Sequence, residues 1–203
     1  MITNVFAIIF TVCYMAFSIY LCRNFKFSTK ALCLGALAIA LTCLLGSIMI
    51  PLPTGAAVSC GSWIPLMLVA IVYDYRLAII SGWITGLLAL FIMPGWAPVH
   101  WAQIPLEHMI SFSALGYAGI FGGEKRSKII WGIVIAIALR SLAQVLSGVI
   151  FFSQNAWDGW GAWAYSLGYH VSCKVPESIV TISVLMVLPL KRLSKYAKGG
   201  LRK

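Results

Sequence analysis

Four ionisable side chains stand inside stretches that otherwise read as lipid-soluble. They are Glu107 in "QIPLEHMISF", Arg140 in "IAIALRSLAQ", and Lys174 with Glu177 in "GYHVSCKVPESIV". A lone charge at the centre of a membrane helix costs about 2.5–3.5 kcal/mol on insertion scales, so such groups turn inward and find partners. His170, Lys174 and Glu177 follow an i, i+4, i+7 spacing that puts them on one helix face. Lys174 and Glu177 can pair with each other, and Arg140 is the cross-helix partner expected for either acid. Pro176 between them lacks an N–H and loosens the local ladder, freeing a carbonyl for a ligand or a side chain. Glu107, one turn after Pro105, has two readings: it meets a ligand amine or cation, or it pairs with Lys174 or Arg140. The chemistry on offer is recognition rather than bond-making.

The elements that hold these residues are membrane helices. The 203-residue chain is 61% hydrophobic and 10% charged, with a mean hydropathy of +0.94. Soluble domains carry about 25% charged residues. Spans of about 17–25 apolar residues fall at 3–22, 31–50, 103–122, 129–152 and 164–190. The long apolar stretch 62–93 is broken only by "YDYR" and divides into two shorter helices, 62–73 and 77–93. The expected fold is an all-α polytopic membrane bundle. The expected division is an additional N-terminal helix and basic turn (1–28), a six-helix domain (29–190) and a basic tail (191–203).

Seven spans place Arg23, Lys26, Lys30, Arg76, Lys125, Arg126, Lys128 and the tail cations Lys191, Arg192, Lys195, Lys198, Arg202 and Lys203 on one side. By the positive-inside rule that side is cytoplasmic, with the N-terminus outside. Removing the first span as a leader leaves the loop sides unchanged, but "MITNVFAIIF" has no basic start or small-residue cleavage site and is expected to be retained. The net charge of +10 is thereby a topology signal and a contact for anionic lipids, not a nucleic-acid footprint.

The opposite side has no Lys or Arg in its loops but holds five of the eight tryptophans: Trp96, Trp101, Trp157, Trp160 and Trp163. They form an interfacial belt, or a lid whose ring faces suit flat or cationic ligands. The six cysteines (Cys13, Cys22, Cys33, Cys43, Cys60 and Cys173) are scattered without metal spacing and read as packing residues. His100 and His108 likewise lack companion ligands, so neither a metal nor a cofactor is expected. The chain contains no GxxxxGK[ST], HExxH or GxSxG motif, so catalysis is not expected either. Ala36 and Ala40, with Gly35 adjacent, make a small-residue stripe in the second span. It serves close internal packing or docks another membrane subunit.

Four segments then resemble a known family: "TKALCLGALAIAL", "GSWIPLMLVAIVYDYRLAIISGWITGLL", "LEHMISFSALGYAGIFGG" and "SGVIFFSQNAWDGWGAWAYSLGYHVSCKVPESI". Over residues 29–190 the chain is similar to the substrate-binding S components of energy-coupling-factor vitamin transporters, most of all the thiamine-specific branch. That resemblance implies a six-helix core with a pocket near the outer face. It also implies a transmembrane coupling subunit and two cytoplasmic ATPases as partners, with Ala36 and Ala40 at the docking stripe. Glu107 and Tyr165 match the family's pocket glutamate and tyrosine. Trp96, Trp157 and Trp163 are expected to close over the ligand. Three pocket positions depart from the pattern: Gln144 stands for a histidine, Phe152 for a tryptophan and His170 for an asparagine. The resemblance thus points to thiamine or a related pyrimidine or thiazole compound. A flavin- or deazapurine-binding S component, a membrane enzyme or structural protein, and a self-sufficient carrier are the rival readings.

Overall fold

The computed structural model describes residues 2–123 and 125–199; Arg202 and Lys203 of the basic tail lie outside them. Helix α1 (Ile2–Cys22) leads to α2 (Thr29–Ser47), a two-stranded antiparallel hairpin of β1 (Met49–Pro51) and β2 (Ala57–Ser59), α3 (Ile64–Val72) and α4 (Tyr75–Ile92). The fifth helical stretch is composite: a π turn (Ile104–Met109), one α turn, α5 (Ile110–Ser113), and a 3-10 segment (Ala114–Gly119). Helices α6 (Arg126–Phe151), α7 (Ala162–Val187) and the short α8 (Leu190–Ala197) complete the chain. Five of these helices (α1, α2, α4, α6 and α7) are long and apolar enough to cross a membrane. The protein is a multi-pass, nearly all-helical membrane bundle.

Local chemistry sets the boundaries. Ser28 caps α2 through Oγ, which accepts from the Ala31 N–H at 3.2 Å, and Asp74 caps α4 by accepting from the Arg76 N–H at 2.8 Å. Pro65 occupies the first turn of α3, where its missing N–H costs nothing. The nine residues of α3 rise only about 14 Å, far short of a bilayer core of about 30 Å. Seven of the nine are buried, which makes α3 the centre of the bundle rather than a full span.

The hairpin departs from the plain connection expected between residues 51 and 62. Its turn closes with the Leu52 N–H on Ala56 O at 2.8 Å and the Gly55 N–H on Leu52 O at 3.0 Å. Gly55 supplies the left-handed φ of +80° that such a turn requires. The tail departs as well: Leu188 and Pro189 end α7, and α8 turns its basic side chains outward. Leu190, Leu193 and Ala197 join the core on its other side.

The basic loops converge at one end. The Lys30 ammonium donates to the Tyr196 carbonyl at 3.1 Å, and the Cys22 thiol to that of Arg76 at 3.7 Å. Helix α1 docks on the fifth stretch through two hydroxyl pairs, Tyr14 with Ser113 at 2.9 Å and Ser18 with Tyr117 at 2.7 Å.

The fifth stretch sits directly on α4 because α4 presents glycine to it. A Cβ on Gly82 would stand 2.5 Å from the Phe112 carbonyl oxygen, and one on Gly86 the same distance from that of His108. We expect Gly86→Ala to cost about 1–3 kcal/mol through this overpacking. Gly161→Ser, at the N-cap of α7 with nothing within 4 Å of the new Cβ, serves as the control, since serine suits a cap at least as well as glycine. Thermal melts of the detergent-solubilised protein should show a lower midpoint for the first variant and the parent value for the second.

Candidate functional site

Helix α6 carries the site along one face. Arg140, Gln144, Ser147 and Gly148 recur at three- and four-residue spacing, which stacks them on successive turns. The fifth stretch approaches this face from one side and α7 from the other.

Glu107 arrives on the π turn, a widened helical geometry often found at functional sites. Its Oε2 accepts from Ser147 Oγ at 2.5 Å and Gln103 Nε2 at 3.1 Å, and the residue is half-buried. Gln103 is itself buried, and its Oε1 accepts from the Val99 and His100 amides at 2.7 and 3.1 Å. The carboxylate is therefore positioned by neutral groups and not by Lys174 or Arg140. Beside it, His108 is locked between the carbonyls of Trp96 at 2.7 Å and Gln103 at 3.1 Å, a packing role.

From α7, Ser166 and His170 close on Gly148. Ser166 Oγ donates to the Val145 carbonyl at 2.8 Å. A methyl on Gly148 would meet His170 Nε2 at 3.3 Å. His170 is buried with Nδ1 unpartnered, and Gln144, one turn from Gly148, is buried with Oε1 unpartnered. Buried polar atoms are nearly always satisfied, and these two, on the neighbouring helices α6 and α7, are among eight unpartnered ones in the described residues. Tyr165 is buried one turn before Tyr169, its ring edge-on to Trp157 at 5.2 Å and tilted to Tyr169 at 5.9 Å. Trp157 in turn meets Trp160 edge-on at 4.9 Å. Phe152, the C-cap of α6, is half-buried one turn above Gly148. Trp163 faces outward, 46% exposed.

Deeper along the same face lies a small enclosed cavity of about 60 Å³, lined by Trp96, Arg140, Lys174, Glu177, Ser59 and Ser62 among others. Arg140 is 2% exposed. Its guanidinium donates to the Ser111 carbonyl at 2.7 Å and lies over the rings of Phe112, Trp63 and Trp96 at 4.8, 5.0 and 5.8 Å. Lys174 Nζ also stands over the Trp63 ring, at 5.4 Å. Glu177 does not pair with either cation. Its Oε1 accepts from the hydroxyls of Ser59 and Ser62, the latter at 3.1 Å. Thr54 and Gly55 extend this contact, through Ser172 Oγ at 3.0 Å and Tyr169 OH at 3.4 Å. The hairpin thus lies along the polar face of α7 and closes it.

The structure places Glu107, Gln144, His170, Tyr165, Trp157 and Phe152 along the C-terminal half of α6, and Trp96, Arg140, Lys174 and Glu177 nearer its middle. Trp63, Ser59, Ser62, Gln103 and Ser147 were not singled out by sequence. Only Gln103 carried a signal, four residues before Glu107. On α2 the expected stripe divides: Ala36 and Ala40 are exposed, while Gly35 is buried against Leu77 and Ser81 of α4. Three larger hollows, of about 350 and 410 Å³ at the basic end and 560 Å³ beside α1, are lined by none of Glu107, Gln144, Tyr165, His170 or Arg140.

A multi-pass helical bundle with polar groups enclosed below an aromatic rim is a membrane protein built to hold a small molecule. Residues 32–197 match the family described as thiamine transporter protein, and the chain belongs to that family. The match leaves α1 outside. The chain is 31% identical over 157 residues to the thiamine transporter ThiT of Bacillus subtilis (strain 168), covering 71% of this chain and 81% of that relative. The structure of ThiT from Listeria monocytogenes matches with a TM-score of 0.70 at 24% identity, covering 81% of this chain and 96% of the other. The resemblance to the thiamine-specific branch is thereby borne out, and with it the helical membrane fold.

Glu177 is the one acid in the cavity that holds two cations. Removing one member of a buried charge cluster costs about 3–5 kcal/mol. Glu177→Ala and Glu177→Gln both remove that charge and should both lower the melting midpoint, the alanine variant further, because the amide keeps an acceptor for Ser59 and Ser62. Equal losses in a side-by-side melt would show that the charge carries the effect and the two hydroxyl contacts add nothing.

Proposed function

We propose that this chain is the substrate-binding subunit of an energy-coupling-factor importer and that it captures thiamine or a related pyrimidine or thiazole compound. The supporting observation is the pair of buried, unpartnered atoms, Gln144 Oε1 and His170 Nδ1, on the neighbouring helices α6 and α7, with Gln144 one turn before Ser147, whose hydroxyl holds the Glu107 carboxylate. An aminopyrimidine has donor and acceptor edges of the kind that satisfy an amide oxygen and an imidazole nitrogen. Glu107 offers a charge-assisted acceptor for its amino group, or a counter-charge for a thiazolium. Tyr165, Trp157 and Phe152 supply ring faces for stacking. Trp163, being exposed, serves the interfacial belt in this reading, and Trp96 supports the floor over Arg140.

The cavity of about 60 Å³ is far smaller than the roughly 300–1,000 Å³ of small-molecule pockets. In this reading the hairpin along α7 lifts to admit the ligand, breaking the contacts at Thr54, Gly55, Ser59 and Ser62. The aromatic end faces outward and the basic end faces the cytoplasm, with the N-terminus outside. Release inward rests on partners: a transmembrane coupling subunit seated on the exposed Ala36 and Ala40, and two ATPases that hydrolyse ATP, a reaction this chain does not perform. Gly35 serves the α2–α4 contact instead.

Ligand binding to the purified protein, followed by tryptophan fluorescence, tests this. Thiamine should quench and riboflavin should not. Glu107→Gln should weaken binding at least about tenfold, the scale of one charge-assisted hydrogen bond. His170→Asn, which keeps an amide donor and acceptor, should retain binding. A flavin that binds while thiamine does not would transfer the chain to another vitamin class, and unchanged affinity in Glu107→Gln would remove the carboxylate from the site.

A further inference from the structure

At the basic end, a cleft of about 350 Å³ opens between the start of α6 and the junction of α7 with α8. Its floor is apolar, formed by Ile129, Leu185 and Leu188, and its rim carries Arg126, Lys191 and Arg192. All three cations are exposed. Arg192 donates through Nε to the Tyr196 hydroxyl at 3.3 Å, which steadies the side chain and leaves its two terminal nitrogens for another acceptor. By sequence the two segments flanking the cleft, 123–128 and 190–198, contain seven cations and one acid, Glu124.

The position of the cleft decides what fills it. Helices α6 and α7 are both membrane-length, and the cleft lies where they end, at the level of the headgroups. Its floor is apolar, with Ile129 and Leu185 buried in the bundle, while its cationic rim is exposed. That is the division of an anionic phospholipid, with an acyl chain below and a phosphodiester above. Basic pockets between helices on the cytoplasmic side take such headgroups, and guanidinium groups present forked donors matched to phosphate oxygens. A zwitterionic lipid has the same chain, but its cationic headgroup is repelled by the rim.

We propose that this cleft is a specific site for one anionic phospholipid, which ties α8 to the base of α6 and is separate from the vitamin site. Native mass spectrometry of the full-length protein tests it, with phosphatidylglycerol and phosphatidylcholine of identical chains supplied in equal amounts. Phosphatidylglycerol adducts should dominate by at least about tenfold, from roughly fivefold per cation reduced by solvent exposure. The triple variant Arg126→Gln, Lys191→Gln, Arg192→Gln should lose that preference. The control triple Arg23→Gln, Lys26→Gln, Arg76→Gln, on the same end but away from the cleft and from α8's contact with Lys30, should keep it.

Equal binding of both lipids by the parent would overturn the proposal, as would a preference that survives in the cleft variant or vanishes equally in the control. If the cleft variant keeps its lipid preference but no longer co-purifies with the ATPase module, the surface belongs to a protein partner and the proposal fails. Should the cleft variant not fold, the parent alone decides: phosphatidylglycerol must raise its melting midpoint more than phosphatidylcholine does. Thiamine affinity should be unchanged in the cleft variant, so this test and that of the vitamin site fail separately.

Discussion

A guanidinium fully withdrawn from water constrains everything around it. Arg140 stands near the middle of α6, in a medium where an isolated charge is costly and where no solvent can complete its hydrogen bonds. The fold meets this with one backbone carbonyl, from Ser111, and three aromatic faces. Each comes from a different element: the fifth stretch, the start of α3 and the loop after α4. Holding them at one point requires α3 to be short, the fifth stretch to lie close on α4, and the loop after α4 to fold back over the bundle. The glycines at 82 and 86 permit that approach. The interior polar layer on which the site rests is thus a consequence of accommodating one cation.

Above this layer the chemistry becomes neutral and incomplete. Glu107 is held by an amide and a hydroxyl, not by a cation, so its charge remains free to act on a ligand. Had Arg140 paired with it, as the sequence also allowed, the carboxylate would have been neutralised. The hydroxyls of Ser59 and Ser62 perform the corresponding service for Glu177, which couples the state of the hairpin to the charge balance of the floor. Without the hairpin, Glu177 would keep only the two cations that share its cavity.

Much of this was legible in the sequence because hydropathy and charge placement obey strong rules in a membrane. The long spans, the two shorter helices in 62–93 and the one-sided basic loops all follow from those rules, and the structure gathers Lys30, Arg76 and the tail at one end. The family segments contain the residues that the structure lines up along α6 and α7. What could not be read was partnership. Lys174 and Glu177 have the right spacing to pair along α7, yet a hairpin from elsewhere in the chain supplies better-placed hydroxyls to the acid, and Trp63 receives the lysine. Trp63 looked like the start of an apolar helix, since a lone indole shows nothing of the two cations over its ring. Gly35 sat in a small-residue stripe whose outward and inward members differ by only 100° of helix rotation, and periodicity alone does not say which way such a stripe turns. The hairpin and α8 are short elements whose existence depends on the surfaces they cover.

Helix α1 has a geometric effect beyond its own packing. It is fastened by two hydroxyl pairs to the fifth stretch and covers that flank of the bundle, while α2 leaves Ala36 and Ala40 bare on another. A bundle of six helices is open to neighbours in the membrane all round its girth. Here one sector is permanently occupied by the chain itself, which shrinks the range of azimuths from which any membrane companion can come alongside and leaves the alanine sector as an unobstructed approach.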